Sequence, residues 1–348
     1  MPLNLDFGLH RSFRLAALVA VLLCVFSGFV VVAQEANENS GAAMAKSEIA
    51  RLASRSLLLD ATQQGNRLIV VGDRGHVLVS DVPEASEWTQ IVVPTRSMLT
   101  AITASPNDAV AAQKHLWAVG HDAVILHSDD GGQSWQLQNH EPELEAPLLD
   151  VWFEDSGHGF AVGAYGLMLE TLDAGETWER RRIDDEEPHF YGLFETADGD
   201  LILAGEFGAI LRSRDRGGSW SRLETPYEGS FFGGIGLSDG TLLLFGLRGN
   251  LFRSVDDGDS WSKIETGVTA SLLGAAESGN GDVAIVGLSG TLLISRDSGK
   301  SASLIGGLKR EGFSTVLSLS DGQMLLVGES GVSLLGNAAG SPASGSGQ

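Results

Sequence analysis

The chain has 348 residues, 43% of them hydrophobic, and a formal net charge of -22. It is long enough to bury a sizeable core, while its charge argues against nucleic acid or anionic lipid as a partner held by bulk electrostatics, since phosphate contacts need clustered Lys and Arg. The 45 glycines follow no collagen-like period; they recur at fixed offsets, as tight turns between short strands require.

At the N-terminus, Arg11 and Arg14 precede a charge-free run from Leu15 to Ala33, the form of an export signal. Val31 and Ala33 stand where a signal peptidase reads small residues, so residues 1–33 are read as a signal peptide and the body as periplasmic or otherwise exported. The alternative is an uncleaved anchor in the inner membrane, because the 19 apolar residues 15–33 can just span a bilayer. Cys24, the only cysteine, follows Leu23 rather than the Gly or Ala of a lipoprotein box, which argues against lipidation. Its removal with the signal would leave no disulfide and no thiol.

Residues 34–54 are expected to be a polar linker, with SEIARLAS at 47–54 a candidate closing strand or a short helix. From 55 to 336 the chain repeats. A G-x-x-G pair followed by an apolar run appears at Gly72, Gly163, Gly205, Gly246, Gly287 and Gly328, and GHDA at Gly120 makes a seventh copy. The steps between first glycines are 48, 43, 42, 41, 41 and 41 residues, a period characteristic of propellers and solenoids. Within a period the apolar pattern alternates, as in LLDVWFED, GFAVGAY, LMLETLD and TWERRRI between 148 and 183, giving four short strands. The expected fold is therefore all-β, a seven-bladed β-propeller of four-stranded antiparallel blades, with an open β-solenoid as the competing arrangement. The last copy supplies only three strands before a Gly/Ser/Ala tail at 337–348, which is expected to be disordered; the cheapest closure has residues 47–54 add the outer strand of blade seven.

Five copies carry S-x-D-x-G-x-S/T-W or a close variant between their third and fourth strands: SDDGGQSW, TLDAGETW, SRDRGGSW, SVDDGDSW and SRDSGKSA, the last with Ala302 for tryptophan. This is an Asp box, and turn chemistry accounts for it without a substrate. Asp130, Asp173, Asp215, Asp256 and Asp297 can accept hydrogen bonds from their own turns, with glycine supplying positive φ. Trp135, Trp178, Trp220 and Trp261 can lie between blades. The spacing does not fit a calcium loop, which needs a 12-residue ladder of oxygen ligands.

In such blades the G-x-x-G loops emerge on the face opposite the Asp boxes. Their central residues include Arg74, His121, Asp122, Tyr165, Glu206, Phe207, Arg248 and Glu329, a mixture of aromatics, arginines and acids that suits a binding surface. For any single position an ordinary exposed turn accounts for the residue equally well.

The combined G-x-x-G and Asp-box pattern, closest in GFAVGAYGLMLETLDAGETWE at 159–179, resembles the photosystem II stability and assembly factor family over roughly 55–335. That resemblance implies a non-catalytic propeller chaperone that docks on membrane-protein intermediates. Relatives in bacteria without photosynthesis would serve another envelope complex, such as a membrane transporter, and nothing in this sequence signals photosynthesis. Of the family's arginine-lined face, Arg74 and Arg248 are retained, while Asp122, Glu206 and Glu329 make it more acidic.

The rival from another class is an Asp-box glycoside hydrolase of sialidase type, in which Tyr165 with Glu206 would be the nucleophile pair. No third arginine occupies a G-x-x-G loop to complete a carboxylate-binding triad, and the histidines lack metal-ligand spacing. The reading is a non-enzymatic monomer with no metal and no cofactor, which binds a protein partner and touches a membrane only through that partner or an uncleaved anchor.

Overall fold

The computed structural model describes residues 45–81, 87–106 and 114–336. The signal at 1–33, Cys24, most of the 34–54 linker and the tail at 337–348 lie outside the described residues. Seven antiparallel sheets follow one another along the chain, six with four strands and one with three. Blade one comprises Leu58–Gln64, Arg67–Gly72, His76–Asp81 and Thr89–Ile91; blade seven comprises Phe313–Ser318, Met324–Gly328 and Gly331–Leu335. The first strand of each blade packs against the first strand of the next, and that of blade seven against Leu58–Gln64, so the ring closes around a central channel. This is a seven-bladed β-propeller.

The second strand of each blade is buried along its length, apart from Arg67 at the start of blade one's, as in Leu201–Gly205 and Val283–Gly287, because it is covered on both faces by neighbouring blades. The apolar core accordingly lies between blades. Ile69 and Val71 of blade one pack with Leu116 and Leu126 of blade two beneath Trp135, and Phe160 of blade three packs with Leu203 of blade four beside Trp220.

Residues 47–54 do not supply blade seven's fourth strand. Ser47 exchanges hydrogen bonds of 2.9 Å with Val93, and Gln90 bonds Ala50 and Glu48, which ties this segment to the outer edge of blade one. Ala53–Arg55 is a single 3-10 turn. Side chain-to-backbone bonds through Gln90 take the place of a strand ladder because Glu48, Ile49, Leu52 and their neighbours have no alternating pattern to bury.

Candidate partner-binding face

Each G-x-x-G loop of blades one to six is one 3-10 turn between second and third strands, such as Asp73–Gly75, Ala164–Gly166 and Leu247–Gly249. The first glycine admits a close approach: a Cβ on Gly163 would stand 2.1 Å from the carbonyl oxygen of Pro147 in the link entering the same blade. The residue before the last loop position is left-handed in all six, at Arg74, Asp122, Tyr165, Phe207, Arg248 and Ser289, with φ between 54° and 60°. A non-glycine side chain there costs on the order of 1 kcal/mol relative to glycine. Tyr165 and Phe207 are nevertheless 59% and 69% exposed, and Arg74 and Arg248 also project into solvent.

The acidic residues of these loops are turned back onto the protein. Asp122 Oδ2 accepts from Ser97 Oγ at 2.6 Å, Glu329 Oε2 accepts from the Gly312 amide at 3.0 Å, and Glu206 lies 3.7 Å from His189 Nε2. Their contacts help to hold the links entering their own blades; Glu329 nevertheless stays exposed alongside the outward arginines and aromatics. His121 is exposed, and its amide bonds the Met98 carbonyl. Blade seven departs from the pattern: its loop is a tight hairpin with Gly331 at φ 84°.

Tyr165 continues into an aromatic run that sequence reasoning missed. Its amide donates to His189 Nδ1 at 2.9 Å, its ring meets His189 edge-on at 4.7 Å, and Tyr191 and Phe232 lead on to the channel mouth. The mouth is a cavity of about 210 Å³ lined by inner-strand residues of all seven blades, among them Asp60, Asp150, Tyr191 and Phe232.

Asp60 and Asp150 are each the third residue of an inner strand, where the other blades place Ala101, Gly192, Gly233, Gly274 and Thr315. Asp60 Oδ2 accepts from the Ile102 amide of blade two at 2.8 Å, and Asp150 Oδ2 from the Leu193 amide of blade four at 2.7 Å. Burial pushes Asp60 up to about 7, with repulsion from Asp150 adding to it, and burial pushes Asp150 up to about 6. The repeated Leu-Leu-Asp at 58–60 and 148–150 was the available sequence signal, but the bulged register that turns these carboxyls inward is a tertiary feature.

The Asp boxes stand on the opposite face and bond as turn chemistry predicts. Asp130 Oδ1 accepts from the Gln133 and Ser134 amides at 2.9 Å, and its Oδ2 from Ser134 Oγ at 2.6 Å; Asp173, Asp215, Asp256 and Asp297 repeat the Ser/Thr contacts. Bonds from Thr177 hold the Asp173 carboxyl below the usual carboxylate range, and bonds from Ser219 do the same for Asp215. Trp135, Trp178, Trp220 and Trp261 each pack against the preceding blade. Among the described residues, no group of three or more His, Cys, Asp or Glu side chains is arranged to hold a metal ion.

Residues 137–263 match the family described as Photosynthesis system II assembly factor YCF48, and residues 126–137 match the BNR/Asp-box repeat. The chain is 29% identical over 155 residues to the Photosystem II assembly lipoprotein Ycf48 of Synechococcus sp. (strain CC9902), covering 43% of this chain and 44% of that protein. Over these stretches the chain is similar to the photosystem II assembly factor family. This family also appears in a 26% match over 145 residues to the chloroplastic Photosystem II stability/assembly factor HCF136 of Oryza sativa subsp. japonica, covering 40% of this chain and 34% of that protein. The matched stretches thus span less than half the length of these curated relatives. Among solved structures, YCF48 bound to D1 peptide superposes with a TM-score of 0.65 at 19% identity, over 82% of this chain and 95% of that one. Virginiamycin B lyase from Staphylococcus aureus reaches 0.68 at 10% identity, over 82% and 96%. At such identities both likenesses concern the fold alone.

Proposed function

We propose that this protein is a non-catalytic, exported scaffold that binds a segment of a protein partner, within an envelope membrane complex, through its G-x-x-G face. The observation that carries this reading is the set of left-handed loop positions occupied by exposed Arg74, Tyr165, Phe207 and Arg248. Glycine would be more stable at each, so large outward side chains kept there are better explained by contact than by folding. The aromatic run from Tyr165 to the channel mouth extends the surface inward, as a peptide-binding groove requires. Relatives named as assembly factors, and one solved with a D1 peptide, support a partner of this kind. Relatives named as lipoproteins support an extracytoplasmic site of action. For the glycosidase alternative, Tyr165 and Glu206 do lie on either side of His189, but Arg74 and Arg248 belong to blades one and five, with no third loop arginine to complete a triad.

The test is affinity purification from crosslinked cells with the parent protein and two double variants. Arg74→Glu with Arg248→Glu is expected to lose an envelope membrane complex, with affinity reduced by about tenfold or more. Lys300→Glu with Arg214→Glu, on the Asp-box face, is expected to retain it. Equal behaviour of the two variants, or loss only with the second, would move function off this face.

A further inference from the structure

Six of the seven interfaces between blades are covered in one way. After its third strand, each incoming blade turns back over the blade before it and sets a side chain into the seam: Trp88 between blades seven and one, then Trp135, Trp178, Trp220 and Trp261, and Ala302 between blades five and six. The floor of each socket is the residue three places before the loop's first glycine on the preceding blade. In these six sockets it is Leu325, Ile69, Trp117, Phe160, Ile202 or Leu243, always large and fully buried or nearly so.

The seam between blades six and seven breaks the pattern twice. Its floor residue is Ala284, and among the described residues no incoming side chain covers it. What remains is a hollow of about 330 Å³ with Ala276, Ala284, Ile294, Leu319 and Met324 as its apolar lining and Ser278, Asn280, Asp282, Ser318 and Ser320 as its polar lining. Ile294 also stands where blades four and five carry Arg212 and Arg253, whose guanidiniums donate to backbone carbonyls of the next box at Asp257 and Ser298. The hollow is therefore a socket of mixed lining, with apolar Ala284 and Ile294 in it, that lacks the guanidinium donor of blades four and five and has space for a large side chain.

Alongside it runs an open sheet edge. Among the described residues, Gly331–Leu335 pairs only with Met324–Gly328, and Ser333 and Leu334 are exposed. Residues 337–348 carry no aromatic residue: at the offsets where the box has its aspartate and tryptophan stand Ala338 and Ala343, with Pro342 beside the latter. Their sequence has neither the turn-capping carboxylate nor the side chain that fills the other sockets.

We propose that this edge and hollow are a second docking site, distinct from the G-x-x-G face, for an extended peptide segment of a partner protein that carries a bulky aromatic residue. The segment adds antiparallel to Gly331–Leu335 as the missing fourth strand, and its main-chain bonds satisfy the open edge. The repeat fixes the register. In blades two to six the box tryptophan, or Ala302, directly precedes the residue paired with His127, Glu170, Arg212, Arg253 or Ile294. The equivalent position on blade seven is Leu335, so the partner's aromatic lies one residue before the one facing Leu335 and enters the hollow over Ala284.

The probe is a synthetic peptide with the sequence of residues 213–223, SRDRGGSWSRL, offered to the full chain and followed by fluorescence anisotropy and amide hydrogen exchange. Binding is expected, with new protection confined to residues 332–335, and replacing the peptide's tryptophan by alanine should weaken it by about tenfold or more. In the protein, Ala284→Phe fills the hollow with a side chain that the same position bears in blade three, so the fold is retained and binding is lost, whereas Arg74→Glu with Arg248→Glu leaves binding intact. The proposal is overturned if the peptide does not bind, if its tryptophan is dispensable, or if Ala284→Phe binds like the parent. It is equally overturned if residues 332–335 are already protected in the free monomer, which would mean that the protein's own chain covers the edge. Self-association in sedimentation that Ala284→Phe abolishes would make a second copy the occupant and would likewise refute it.

Discussion

Replacing Asp60 by Asn should make the protein more stable, and increasingly so as pH rises. The carboxyl is surrounded by inner strands and pushed up to about 7, first by burial and then by Asp150, while Ile102 and Thr315 hydrogen-bond to it. Among the described residues, no Lys, Arg or His lines the channel mouth to offset the charge. Because the folded value lies above the unfolded one, near 4, the folded chain binds the proton more tightly. The stabilisation is complete below pH ~4 and is lost as pH rises through about 7. The difference corresponds to roughly 4 kcal/mol, and access of solvent through the channel reduces it to about 2 kcal/mol. Asparagine keeps an oxygen to accept from the Ile102 amide and carries no charge, so it escapes the penalty. Urea unfolding at pH 4 and pH 8 measures it: parent and Asp60→Asn should nearly coincide at pH 4, with the variant's midpoint higher at pH 8. A variant less stable than the parent at pH 8 would show that the ionised carboxylate earns more from its hydrogen bonds than burial costs, and the reasoning would fail.

Asp173→Ala should lower the melting temperature while leaving partner binding unchanged, since its carboxylate bonds only within its own turn; lost binding at unchanged melting would contradict this. Phe207→Gly should do the reverse, raising stability by up to about 1 kcal/mol by relieving its left-handed backbone and weakening binding of the partner. Calorimetry and a binding assay on one preparation check both signs. Blades six and seven should lose amide protection first in native-state hydrogen exchange, because Ala302 replaces one inter-blade tryptophan and the next seam holds a hollow. Uniform protection around the ring would refute that.

By itself the sequence determined the number of blades, the four strands in most of them, the Asp-box turns and the side of the disc on which each loop emerges. These follow from local rules that repeat every 41 residues or so: alternating apolar residues make strands, a carboxylate two places before a glycine caps a turn, and the fixed order of strands settles which turns share a face. Only the tertiary structure decided what depends on the meeting of blades. Residues 47–54 lie along blade one because Gln90 and Val93 offer partners there, which no pattern within the segment encodes. Asp122, Glu206 and Glu329 read as part of an acidic surface until their neighbours in the entering links, Ser97, His189 and Gly312, are brought alongside. Asp60 and Asp150 read as ordinary strand residues until seven inner strands enclose them, since desolvation is a property of everything packed around a carboxyl and not of the residues beside it in the chain.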